Sequence, residues 1–153
     1  MLIAQGNRDA SLASYQAALE VVRRLTATNP GHALWQSDLA YTHTKVAAAL
    51  LAKGDLPDAL RSVRAGLNVR DRLAKSQPDN AVRRRDLAGS HADAATVLAR
   101  QGEAGEALDE LRKARAIISE LAAQSPQDAQ AQKDLAALDA ELAKLERSDV
   151  DHP

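Results

Sequence analysis

Apolar positions in this chain fall three and four residues apart, and the stripes they form recur along the sequence. Leu39, His43, Val46, Ala47 and Leu50 make one stripe, and Leu87, His91, Ala94, Ala95 and Leu98 repeat it 48 residues later. Such offsets place side chains on one face of an α-helix. A second stripe follows each of these, as Ala59, Leu60, Val63, Gly66, Leu67 and Leu73 and then as Ala107, Leu108, Leu111, Ala114 and Leu121. Leu12, Tyr15, Ala18, Leu19 and Leu25 are an earlier copy of the second stripe. The pattern predicts an all-α chain of about six helices in alternating first (A) and second (B) types.

The polar punctuation keeps the same interval. Pro30, Pro78 and Pro126 are 48 residues apart, as are Gly6, Gly54 and Gly102, and Asp38-Leu39, Asp86-Leu87 and Asp134-Leu135 hold the register. Fourteen of 48 positions are identical between 30–77 and 78–125. Each glycine is expected to end a helix in the left-handed conformation, which costs Gly little. Asp55 then caps the following helix with Asp58 at its third position, and Asp79-Asn80 caps an A helix. Mid-helix Gly66 is expected where a neighbouring helix comes close, since Gly there otherwise costs about 0.5–1 kcal/mol. Units of this kind bury their apolar faces against their neighbours, and such arrays present surfaces far more often than they do chemistry.

The chain is expected to divide into a half repeat at 1–29, repeats at 30–77 and 78–125, a capping helix at 126–147 and a frayed tail at 148–153. Residues 1–5 align with the last turn of an A helix, so the first B helix, about 9–28, lacks its long partner. Its Leu12, Tyr15, Leu19 and Val22 are candidates for self-association, with a homodimer or a piece of a longer array as the expected outcomes. In the last helix Asp139 replaces the repeated His and Glu146 the repeated Leu, as a solvent-facing cap requires.

Composition narrows the chemistry. The chain has 153 residues, 45% apolar but only 2% aromatic, with no Cys and a net charge of −1. There is no disulfide framework, thiolate metal site or thiol nucleophile. No apolar run approaches the roughly 18 residues of a membrane span, and a cytoplasmic location is the default. Charge is unevenly spread: 61–85 carry eight basic and two acidic groups, 101–153 six basic and twelve acidic.

The candidate reactive groups have bland readings. His43 and His91 occupy equivalent repeat positions on the apolar face and are expected as satisfied core histidines; His32 and His152 carry no specific expectation. Asp38, Asp86 and Asp134 are expected to cap or to bridge helices. No Gly-x-Ser-x-Gly elbow, phosphate-cradling loop or metal-ligand spacing occurs, so no enzyme, metal or cofactor is expected. Arg83, Arg84 and Arg85 form a candidate basic patch for an acidic partner or phosphate, and the lack of interleaved aromatics argues against nucleic acid as a partner. Trp35, without an aromatic counterpart in the other repeats, is expected to pack near its joint.

Gly54-Asp55-Leu56-Pro57-Asp58-Ala59-Leu60 resembles the turn and second-helix start of tetratricopeptide repeats. Ala47 and Ala95 match the small position of that family's first helix, Ala59 and Ala107 that of its second, and Pro78 its closing proline. The segment Trp35 to Val46 resembles a long-repeat variant of bacterial signalling proteins. The resemblance implies a right-handed α-solenoid of antiparallel helix pairs that binds a protein or peptide in a concave groove lined by the A helices. The matching positions are Tyr41, Thr44, Ala48 and Leu51, then Gly89, Ala92, Thr96 and Ala99, and the longer helices add Ser37, Arg85 and Lys133. A non-catalytic scaffold for a peptide or helix is the expected function. Structural self-assembly is the alternative, and an electrostatic nucleic-acid adaptor a weak third.

Overall fold

The structure, a computed structural model, describes residues 2–151, with side chains described from Gly6 to Arg147. It is all-α: α1 Leu2–Thr28, α2 Ala33–Lys53, α3 Leu56–Ser76, α4 Ala81–Gln101, α5 Ala104–Gln124 and α6 Ala129–Asp151, with no strand among the described residues. Two compact units divide the chain, Met1–Ser76 and Gln77–Pro153. Within the first, α1 packs on α2 and α2 on α3; within the second, α4 packs on α5 and α5 on α6. One unit therefore reads B-A-B and the other A-B-A.

The joints repeat down to their hydrogen bonds. Gly54 and Gly102 are left-handed, at φ 86° and 85°, and are the only positive-φ residues among those described. The Gly54 N–H bonds Leu51 O at 3.1 Å and the Asp55 N–H bonds Leu50 O at 3.0 Å; Gly102 and Glu103 make the same bonds to Ala99 O and Leu98 O. These bonds satisfy carbonyls that the helix ends leave open. Asp55 Oδ1 accepts from the Asp58 N–H at 3.2 Å, as the capping reading expects.

Each A helix also starts on a cap at one repeat position. His32 Nδ1 accepts from the Trp35 N–H at 3.3 Å, Asn80 Oδ1 from Arg83 at 3.1 Å, and Asp128 Oδ1 from Ala131 at 3.0 Å. His32, to which the sequence reading gives no role, is thus the cap of α2. It stacks on the half-buried Trp35, ring centroids 4.2 Å apart. The stack accounts for a tryptophan that only this repeat carries.

Two expected boundaries move. Gly6 lies inside α1 rather than at a turn. At the other end α6 continues to Asp151, through Val150 at the position where the other repeats have glycine. The expected frayed tail is therefore helical as far as Asp151; His152 and Pro153 lie outside the described residues.

Small residues fill the helix crossings. Ala59, Ala107, Ala114 and Ala131 are fully buried, and Ala40 and Ala88 nearly so. In the first unit Ala40 packs with Val69 and Leu73; in the second Ala88 packs with Ala114, Ile118 and Leu121. At Gly66 α3 comes close to α2: a Cβ there would sit 3.2 Å from both Ala40 O and His43 Cβ. Lys53 pairs with Asp9 at 2.6 Å, and Arg8 donates to Ala52 O at 3.3 Å, which pins the start of α1 to the end of α2.

The crossing at Gly66 predicts opposite signs for two glycine substitutions. Gly66→Val should cost about 2 kcal/mol by overpacking. Gly89→Ala, where nothing lies within 4 Å of the new methyl, should add about 0.5–1 kcal/mol. Urea unfolding followed by circular dichroism measures both, and a neutral Gly66→Val would show that the crossing is not tight.

Candidate binding groove

In the second unit the two A-type helices α4 and α6 flank α5, and a groove opens between them. Its first stretch, about 320 Å³, is walled by Ala92, Ala95, Thr96 and Ala99 of α4 and by Ala137, Leu138, Glu141, Lys144 and Leu145 of α6. Leu111 of α5 is its floor. A second stretch of about 270 Å³ shares Ala92, Ala137 and Leu138 with the first, and continues to Arg85, Ala88, Gly89 and Asp134 over Ile118. From Arg85 to Ala99 the wall runs about 21 Å at the α-helical rise. The lining is alanine, glycine and leucine, with charge confined to the ends and to Glu141. Alanine and glycine let a bound backbone approach closely.

The Arg85 end is fixed by ion pairs. Its Nη2 lies 2.7 Å from Asp128 Oδ2, and its Nε sits 3.4 Å from Asp134 Oδ2 without hydrogen-bond geometry. The cap bond from the Ala131 N–H, followed by the Arg85 guanidinium, holds the Asp128 carboxyl below the usual carboxylate range. Asp134 accepts from Gln130 Nε2 of its own helix at 2.7 Å, and its link to α4 is the Arg85 ion pair rather than the expected cap or inter-helix hydrogen bond. Arg84 pairs with Glu120 and donates to Gln124 Oε1 at 3.1 Å. Of the expected basic patch, Arg84 and Arg85 thus have their charge balanced by α5 and α6, and Arg83 has a partner too.

Five expected groove residues come together here: Arg85, Gly89, Ala92, Thr96 and Ala99. Lys133 is exposed on α6 but outside the lining. Ser37, Tyr41, Thr44, Ala48 and Leu51 lie on α2, the single A helix of the first unit, none of them fully buried. Tyr41 is exposed, with Lys45 Nζ 5.0 Å above its ring. The α6 wall escapes the sequence reading, although the register contains it: Ala137 and Lys144 are Gly89 and Thr96 carried forward one 48-residue period.

The charges that replace apolar residues on α6 are paired with α5. Asp139 pairs with Arg115, and Glu146 lies 3.5 Å from Arg112. On α1 the expected self-association set is divided. Leu12 and Leu19 are buried within the first unit and are unavailable to a partner; Tyr15 is exposed and Val22 half-buried, while Val21 and Leu25 add exposed apolar surface.

The two repeated histidines differ. His91 Nδ1 lies 2.6 Å from Glu110 Oε2, and Lys113 donates to Glu110 Oε1 at 2.7 Å. Burial alone would raise the Glu110 carboxyl, but the Lys113 and His91 hydrogen bonds bring it below its usual range. His43 is only 4% exposed, and its Nδ1 has no hydrogen-bond partner, so the satisfied reading holds for His91 and fails for His43. The cause is one residue: Ser62 stands where the other repeat has Glu110. Burial, and then the positive charge of Arg23, push the His43 ring down to about 4. His43 lies in a cavity of about 380 Å³ walled by α1 and α3.

Among the described residues no group of three or more His, Cys, Asp or Glu side chains is placed to hold a metal, and no helix is long and apolar enough to cross a membrane. No protein-family model matches the chain, and no curated protein matches its sequence. Among solved structures the chain is similar to BtubC (BKLC) from P. vanneervenii, at 22% identity and a TM-score of 0.65. The match covers 92% of this chain and 50% of that one, so the chain spans about half the length of that structure. At this identity the likeness is one of fold.

His43 makes stability pH-dependent. The unfolded ring binds a proton below about 6.5 and the folded one only below about 4, so stability falls as pH drops through that window and levels off beneath it. Across it the wild type should lose up to about 3 kcal/mol relative to His43→Leu. Chemical denaturation of both proteins between pH 7 and pH 4 reads the difference, and parallel curves would contradict it.

Proposed function

We propose that the chain is a tetratricopeptide-like interaction module that docks an apolar-faced peptide, extended or helical, in the groove between α4 and α6. The continuous apolar lining over Leu111 and Ile118 carries this reading. A length of about 21 Å suits about six extended residues or four helical turns. Ala92, Ala137 and Leu138 offer area to bury at roughly 25 cal/mol per Å², while Glu141 and Lys144 set orientation at the rim. The module is in this reading a non-catalytic scaffold of the bacterial cytoplasm, similar to the long-repeat variant of bacterial signalling proteins. A second reading, self-association through α1, is favoured by the exposed Tyr15, Val21 and Leu25.

A displayed peptide library selected on the wild-type protein should yield sequences with two or three spaced apolar residues. Thr96→Glu and Ala99→Glu, both at exposed groove positions, should each weaken an enriched peptide at least about tenfold, because each places an unpaired charge against apolar surface. Helicity and melting temperature should stay unchanged. Undiminished affinity in both variants would move the binding site elsewhere on the molecule.

A further inference from the structure

The cavity over His43 breaks a repeated arrangement. In the second unit a histidine, a glutamate 19 residues later and a lysine three beyond that form the closed set His91, Glu110 and Lys113. In the first unit the same register holds His43, Ser62 and Ala65. Both replacements are small, both line the cavity, and the histidine is left buried with Nδ1 unpaired. Four charged groups border the space: Glu20, Arg23, Asp58 and Arg61. Glu20 is engaged by Arg24 at 3.0 Å and Asp58 by Arg61. Arg23 has no ion pair among the described residues, and it supplies from α1 the cation that Lys113 supplies in the other unit.

We propose that this cavity is a binding site for a single carboxylate, which accepts the His43 Nδ1 proton in the place that Glu110 occupies beside His91. One uncommitted cation and one buried ring nitrogen match one negative charge and one acceptor oxygen. Neutral His43 carries its proton on Nδ1 when the site is filled, and Arg23 faces the second oxygen. The carboxylate belongs either to a small free acid or to a glutamate side chain of a bound peptide. The site is independent of the α4–α6 groove and stands or falls apart from it.

The His43 ring, followed by NMR at constant ionic strength, reports occupancy. High-millimolar acetate should shift its resonances and move its titration midpoint upward by about 1 pH unit, as a nearby opposite charge does. N-acetyl-glutamic acid amide, offered in parallel, represents the peptide-borne source. A tighter response to acetate than to the amide supports a free acid, and a tighter response to the amide supports a peptide glutamate. Ser62→Glu should rebuild the closed set, raising the His43 midpoint without any probe and abolishing the probe response. Arg23→Gln, at an exposed position, should weaken the response roughly tenfold and keeps the test readable should Ser62→Glu fail to fold. A His43 ring that ignores both probes overturns the proposal, as does a response that survives undiminished in both variants.

Discussion

Close helix crossings through very small residues are the condition on which this chain's architecture rests. With no phenylalanine and one tryptophan, few large side chains are available to fill gaps. Helix pairs must instead approach until backbones nearly touch, as at Gly66, where there is no space for a methyl group without displacing Ala40 O or the His43 side chain. Dispersion contacts are gained in number rather than in size. The 48-residue period exists to bring such positions into register: Ala40 and Ala88, Ala59 and Ala107, Gly66 and Ala114 are each one position used twice.

A repeated template makes its exceptions informative. Where A, B and A helices meet in the second unit, small residues on α4 face α6 and leave an apolar trough; the first unit, with α2 between two B helices, has no pair of A helices to form one. Exchange of a glutamate for a serine between the two repeats leaves one histidine bonded and the other orphaned in a cavity. A buried polar atom without a partner costs stability, which sets the first unit's histidine apart from the second's.

Much of this was legible in the residues, because helix periodicity and glycine or Asx punctuation act locally. The turns at Gly54 and Gly102 and the caps at Asp55 and Asn80 were readable for that reason. What escaped depends on neighbours brought together by folding. His32 is an unusual capping residue whose role shows only once Trp35 stacks on it. Arg84 and Arg85 read as a basic run until α5 and α6 deliver Glu120, Asp128 and Asp134. Leu12 and Leu19 look exposed only if α2 is assumed to cover too little of α1. The wall at Ala137 and Lys144 was within reach of the period itself, but those positions fall in a helix read as a cap rather than as a surface.

Alanine-methyl NMR of the whole chain, with a selected peptide added, tests most directly where that surface lies. The methyl groups of Ala92, Ala99 and Ala137 should move together, while Ala13, Ala17 and Ala52, exposed in the first unit, stay fixed. Perturbations concentrated on α1 to α3, with the three groove methyls unmoved, would contradict the assignment of the groove as the docking surface.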